Sequence, residues 1–183
     1  MIKASFVTGR AELEKISALN TLNRKSLLDA DTIRTQGFVT WAYPVDLLER
    51  MHTFAPSVIA MESDQLAGYA LTAPLECAAV HPELASLLEK MRVVQYQGRP
   101  LAAYRHYILG QLCVAEAYRG LGVVELLYQF HREQFSNRYE MMVLTIATAN
   151  TRSVRVHERI GFQEVHHFDD HHGSWKAYVW DWR

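Results

Sequence analysis

Two cysteines in 183 residues, Cys77 and Cys113, are too few for a disulfide framework and lack the spacing of a metal cage. Both read as reduced structural thiols. Charge of one sign is missing as well. The 19 basic and 20 acidic side chains leave a formal net charge of −1, which offers no general attraction to nucleic acid or to an anionic membrane. No apolar run approaches the length of a spanning helix, and Met1–Arg10 has no signal-peptide core. The expectation is a cytoplasmic protein with neither membrane nor nucleic-acid partners. Repeats, low-complexity tracts and linkers are also absent, and the length suits one domain, residues 1–183, with a substantial core.

What is present concentrates between Gln111 and Tyr128. The apolar run Leu112–Ala115 reads as a buried strand. A turn with Arg119, Gly120 and Gly122 follows, and then a segment with Val123, Leu127 and Phe130 at helical spacing. Strand, glycine turn and helix start together expose unpaired N–H groups at a positive dipole end, where a phosphate is favoured. The glycines let a ligand approach the backbone closely, and Arg119 adds a guanidinium able to fork onto phosphate oxygens. Two common phosphate motifs are excluded. Gly120 and Gly122 are followed by Glu125 where a dinucleotide fingerprint needs its third glycine, and no G-K-S/T tripeptide occurs.

The segment resembles the acyl-CoA loop of the GNAT N-acetyltransferase superfamily: Q or R, two residues, G, one residue, then G or A. Arg119, Gly122 and Val124 occupy those places, with valine departing from the family's small residue and crowding the pyrophosphate. A second segment, Asn150–Phe162, resembles the family pattern N-x-x-A/S-x-x-L/F-Y-E-K-x-G-F through Asn150, Ser153, Val156, Glu158, Arg159, Gly161 and Phe162. By its own residues this segment is a helix capped by Asn150 and stopped by Gly161, with Val156 and Ile160 as its buried stripe. The resemblance covers residues 106–182 well and the first hundred in outline.

The remaining elements follow from pattern. Strands are expected at Ile2–Thr8, Val93–Tyr96, Tyr104–Val114, Met141–Ile146, Phe162–Phe168 and Trp175–Trp182, with a hairpin of Ser57–Met61 and Leu66–Thr72. Helices are expected at Ala11–Leu22, Asp29–Gln36, Pro44–Thr53 and Pro82–Met91, the last opening on proline. The resemblance implies an α/β (α+β) fold: a mixed, mostly antiparallel sheet of about seven strands, flanked by helices, with its central strands splayed. The N-terminal half would form the acceptor side and residues 106–182 the acetyl-CoA side.

The resemblance also implies the chemistry. Acetyl-CoA would be the cosubstrate, with no metal, and a primary amine of a small molecule would attack the thioester directly. Backbone at Leu112, Cys113 and Val114 would pair with pantetheine amides. Arg119, Gly120, Leu121, Gly122, Val123 and Val124 would hold the pyrophosphate, and Asn150 and Ser153 would face the cofactor from one side of their helix. Two other functions stay open: acetylation of a peptide or protein amine, and a non-catalytic acyl-CoA sensor. In many relatives a tyrosine protonates the departing thiolate, and the matching residue here is His157. That makes His157 the candidate general acid, against two other readings, a ligand of sulfur or water and a structural histidine on a half-buried face. No general base stands out among His106, Tyr107, Gln111 and Glu76.

Two further stretches invite comment. In the string His166–His172, adjacent strand histidines point to opposite faces, so a polar turn is expected rather than a metal site. Trp175, Tyr178, Trp180 and Trp182 on the closing strand read as core, edge packing or a homodimer surface. The middle segment, residues 74–105, is expected to shape the acceptor pocket.

Overall fold

A computed structural model describes residues 1–183. Strand β1 (Lys3–Phe6) leads into helices α1 (Arg10–Leu22), α2 (Ala30–Gln36) and α3 (Val45–His52), then the hairpin β2 (Val58–Glu62) and β3 (Gln65–Ala73). Helix α4 (Pro82–Met91) and the two-residue strands β4 (Gln95–Tyr96) and β5 (Arg99–Pro100) precede β6 (His106–Val114). The rest is α5 (Val123–Phe135), β7 (Met141–Ala147), α6 (Thr151–Ile160), β8 (Gln163–Asp170) and β9 (Gly173–Asp181). The seven-stranded sheet runs β1-β2-β3-β6-β7-β9-β8, and β6–β7 is its one parallel pair. This is the expected mixed, mostly antiparallel α/β fold. The β4–β5 ribbon was not anticipated beyond a single strand, because its register is set by a turn at Gln97 and Gly98, both with positive φ.

Each sheet face buries an apolar layer. On one, Ile16 of α1, Leu48 of α3 and Leu84 of α4 pack on Ile59, Leu71, Ile108 and Val143. On the other, Leu127, Tyr128 and Phe135 of α5 pack on Tyr107, Met142 and Tyr178. A fully buried side chain of this kind contributes about 1.5–3 kcal/mol. No helix is long and apolar enough to cross a membrane.

The expected stripe on α6 is corrected. Val156 and Ile160 are only half-buried, and His157 is the one buried residue of the helix. Parity also separates the tryptophans of β9. Tyr178, Trp180 and Trp182 side with the α5 layer, whereas Trp175 shares the parity of Ala177 and Val179 in the opposite layer.

The first turn of helix α5 packs over a glycine of β3, Gly68. A Cβ at Gly68 would lie 2.9 Å from the Cys113 carbonyl oxygen and 3.1 Å from Val123 Cγ1. Backbone on one side and a buried valine on the other leave little room to yield. Gly68→Ala should therefore lose about 1–3 kcal/mol of stability. Urea unfolding should show a lower midpoint with an unchanged slope; an unchanged midpoint would mean that α5 is not seated this closely.

Candidate active site

The site begins where two strands part. β6 and β7 pair in parallel only at His106–Met141, Tyr107–Met142 and Ile108–Val143. Beyond that β6 stays with β3 and β7 with β9, so a wedge opens between Leu109–Val114 and Leu144–Ala147. A bulge sharpens the opening, since the β3 partners step from Ala70 to Thr72 while those of β6 step from Leu112 to Leu109. The extra residue falls at Gly110–Gln111 and reverses which face the next side chains take. Gly110 is needed there because a Cβ would approach the Tyr43 hydroxyl to 3.1 Å, and that hydroxyl donates to Gly110 O at 3.2 Å.

The bulge also decides which backbone groups meet the wedge. Ala115 N–H bonds Ala67 O at 2.9 Å. Alternation along an antiparallel ladder then turns the polar groups of Cys113 toward Tyr69 on β3, and those of Leu112 and Val114 outward. Of the three expected pantetheine partners, Leu112 and Val114 therefore face the wedge and Cys113 does not. The Cys113 thiol is buried and pushed up to about 12 by desolvation, which suits a structural cysteine rather than a nucleophile.

Below the wedge mouth lies an open groove of about 880 Å³ between α2, the 119–124 turn and α6. Gly120 and Gly122 take φ of 80° and 77°, a left-handed conformation open to glycine and costly for other residues. Gly122 is the N-cap of α5. The first helical bond runs from Leu126 N–H to Gly122 O at 3.0 Å, so the N–H groups of Val123, Val124 and Glu125 precede it and have no intrahelical partner. Val123, the first residue of α5, is buried in the layer between that helix and the sheet, Val124 lines the groove and Leu121 is exposed. Arg34, Arg119, Arg152, Arg155 and Arg159 line the same groove against a single carboxylate, Glu125, which pairs with Arg159 at 3.0 Å. An anion is the natural occupant.

Arg119 is already held. Its guanidinium donates to Val114 O at 3.3 Å, Gln36 Oε1 at 3.1 Å and Asn23 Oδ1 at 2.8 Å. All three acceptors are neutral, so its charge stays uncancelled. Asn150 is equally engaged. Its Oδ1 caps α6 through Ser153 N–H at 3.3 Å, and its Nδ2 donates to Phe38 O at 2.8 Å.

A smaller pocket of about 90 Å³ occupies the wedge itself, with Phe38, Trp41, Gln111, Thr145, Ser153, His157 and Trp175 in its wall and no charged side chain. Gln111 is anchored from three sides: Asn20 Nδ2 donates to its Oε1 at 2.7 Å, as does the Tyr69 hydroxyl, and its Nε2 donates to Trp41 O at 3.3 Å. The Trp41 indole N–H is buried without a partner.

His157 forms part of both walls. Its Nδ1 lies 2.7 Å from Ser153 O and its Nε2 lies 2.6 Å from the Tyr128 hydroxyl. A carbonyl can only accept, so Nδ1 carries the proton and Nε2 accepts from Tyr128. Burial lowers His157 to about 4, the Ser153 carbonyl opposing only in part. A second pair repeats this arrangement. His131 Nε2 meets Ala70 O at 3.3 Å, the Tyr107 hydroxyl meets its Nδ1 at 2.9 Å, and burial lowers His131 to about 3. Both histidines are neutral near pH 7. Burial thus disfavours an imidazolium at His157 at rest, and its one ring proton is engaged by Ser153 O.

The base candidates scatter. His106 is buried against Tyr104 O at 2.9 Å where β6 and β7 are still paired, Tyr107 is held by His131, and Glu76 is exposed. Only Gln111 reaches the pocket. Sequence reading missed Tyr128, Trp41 and the pocket role of Trp175. Tyr128 has a retrospective signal, a polar tip at a position of α5 adjacent to Leu127 on the buried face.

Comparison with known proteins agrees with this architecture. Residues 25–162 match the acetyltransferase (GNAT) family, and no curated protein matches the sequence. Among solved structures, yncA of Salmonella typhimurium with its cofactor acetyl-CoA superposes with a TM-score of 0.63 at 16% identity, over 100% of this chain and 94% of the other. A GNAT-family acetyltransferase from Streptococcus agalactiae gives 0.68 at 13% identity, over 100% and 96%. A ribosomal-protein alanine N-acetyltransferase of Escherichia coli gives 0.60 at 12%, over 99% and 94%.

The two neutral histidines have a measurable consequence. From the ordinary value of 6.5 downward the unfolded chain binds protons that native His157 refuses until about 4 and native His131 until about 3. Stability should therefore be complete above pH 6.5 and fall as pH drops through that window, by about 1.4 kcal/mol per pH unit for each histidine. Urea midpoints between pH 7.5 and 4.5, with Tyr107→Phe/His131→Phe and Tyr128→Phe/His157→Phe doubles as references, check the slope. Flat midpoints in the native sequence would show that the imidazoles are not buried neutral.

Proposed function

Because this chain belongs to the acetyltransferase (GNAT) family, we propose that it is an N-acetyltransferase that moves the acetyl group of acetyl-CoA to a primary amine of a small molecule. The observation that carries the acceptor class is the pocket in the wedge, about 90 Å³ with no charged lining. Phe38 and Val39, which line it, are buried, and a pocket so narrowed favours a small amine over an extended peptide.

The residues suit the cosubstrate. Leu112 and Val114 present strand backbone, the left-handed glycines present N–H groups at the start of α5, and Arg119, Arg152 and Arg155, none of them paired with a carboxylate, supply charge for phosphate. Val124 stands where a smaller residue would leave more room. Acetyl-CoA supplies an activated acyl carbon; the chain's own task is to place an unprotonated amine against it. A pocket with no charged side chain lowers the pKa of an entering ammonium by desolvation, with no side-chain base needed. Outward N–H groups of β6 are positioned to stabilise the oxyanion. The amine nitrogen then bonds to the acyl carbon, the carbon–sulfur bond breaks, and the amine's proton leaves to water or to the sulfur. A thiolate with a pKa near that of cysteine, about 8.5, is a tolerable leaving group without an enzymic acid.

Thiol release from acetyl-CoA on a panel of small amines and short peptides tests the reading: turnover on small amines supports it, and preference for peptides or absence of turnover overturns it. Calorimetry should show weaker CoA binding for Arg119→Ala and weaker still for Gly122→Asp, which sets an anion against phosphate and a side chain at positive φ. Unchanged affinity in both folded variants would displace the cofactor from this groove.

His157→Phe separates the remaining roles. It should lose about 1–3 kcal/mol of stability by stranding the Tyr128 hydroxyl, while kcat with chemistry rate-limiting falls less than about tenfold. A loss of two orders of magnitude at unchanged CoA affinity, rescued by His157→Tyr, would restore an acid at this position.

A further inference from the structure

We propose that Glu83, His171 and His172 form a binding site for one divalent transition-metal ion of the zinc class, joining helix α4 to the β8–β9 turn. The two histidines stand in the turn rather than on the strand, so backbone alternation does not part them, and their ring centroids lie 3.9 Å apart. Glu83 comes from the first turn of α4, and its Oε2 is 3.9 Å from His172 Nε2. One donor atom from each of the three lies within 4.8 Å of the others.

Donors on a tetrahedral ion with bonds of about 2.0–2.1 Å sit roughly 3.3 Å apart. Small rotations of these solvent-facing side chains close the difference. Two imidazoles and one carboxylate select zinc, nickel or copper over magnesium or calcium, and water completes the coordination. Lys90, on the same helix as Glu83, is engaged with Asp170, Nζ to Oδ2 at 3.6 Å.

The turn is tied to the pocket. Asp170 Oδ1 accepts from His172 N–H and from the Trp175 indole, each at 2.8 Å, and Trp175 is part of the wedge wall. An ion that immobilises His171 and His172 against α4 thus steadies the segment that carries Trp175.

Calorimetry and thermal unfolding of the untagged protein with zinc, nickel and magnesium salts decide the matter, and neither needs a substrate. Zinc and nickel should bind at one equivalent and raise Tm, and magnesium should do neither. His171→Ala, His172→Ala and Glu83→Gln should each weaken zinc binding by about tenfold or more and shrink the Tm rise, while His166→Ala should leave both unchanged. Absence of zinc binding, or binding that survives both turn-histidine variants, overturns the proposal. Its failure would leave CoA binding by the groove untouched.

Discussion

The parting of β6 from β7 is the constraint on which the rest of the molecule depends. A parallel pair that ends after three registered residues leaves backbone groups of Leu112 and Val114 on one side and of Leu144–Ala147 on the other without strand partners. Buried polar backbone must be satisfied, so a closed sheet would be the lower-energy outcome unless something holds the strands apart. The bulge at Gly110–Gln111 supplies that obstacle, because it rotates β6 out of register with any further pairing. The Gln111 side chain then fixes the new course through Asn20, Tyr69 and Trp41. A gap whose backbone donors are aimed and unpaired before any ligand arrives is a preorganised one, and that is what electrostatic stabilisation of an oxyanion requires.

The same gap couples parts of the chain that are distant in sequence. Asn150 caps α6 and also grips Phe38 O, 112 residues away. Its Oδ1 would stand 2.8 Å from a Cβ at position 37, where glycine takes φ of +77°. Arg119 grips Gln36 and Asn23 from the opposite bank. The segment between α1 and α3 is therefore fastened to both motif-bearing turns. A groove lined from these two directions has little to reorganise when an anion enters, which lowers the entropic cost of binding.

The elements legible in the sequence were those with strong local causes. Pro82 opens α4, Asn150 and Gly161 bound α6, and the apolar runs of β6 and β7 lie within two residues of expectation. The phosphate turn was legible because positive φ demands glycine, and Gly120 and Gly122 both use it. What stayed hidden depends on contacts that no local pattern encodes. The bulge converts Cys113 from a wedge-facing residue into one turned toward β3, and a single unpaired residue leaves no periodic signature in a strand of nine. Helical spacing put Val156 and Ile160 on the buried stripe of α6, yet the wedge leaves that flank half-open and the burial passes to His157. The pairing of His157 with Tyr128 across α5 and α6 is likewise a tertiary fact.

That pairing changes the proton accounting of the site. At the position where the motif resemblance suggests a tyrosine, this chain carries His157, and the hydroxyl beside it is that of Tyr128 on α5, donating to the imidazole. An imidazole so placed has its one proton committed to Ser153 O and its one lone pair committed to Tyr128. To act as an acid it would have to give up the proton that holds its own helix turn, and to act as a base it would have to displace the tyrosine. Burial raises Tyr128 well above the usual tyrosine value, which makes its hydroxyl a poorer acid. The Tyr128–His157 pair braces α5 against α6 in the pocket wall, and Tyr107 with His131 forms a second buried pair beside β6. In the N-acetyltransferase reading proposed above, the wedge itself contributes by desolvating the amine and aiming backbone dipoles at the developing oxyanion.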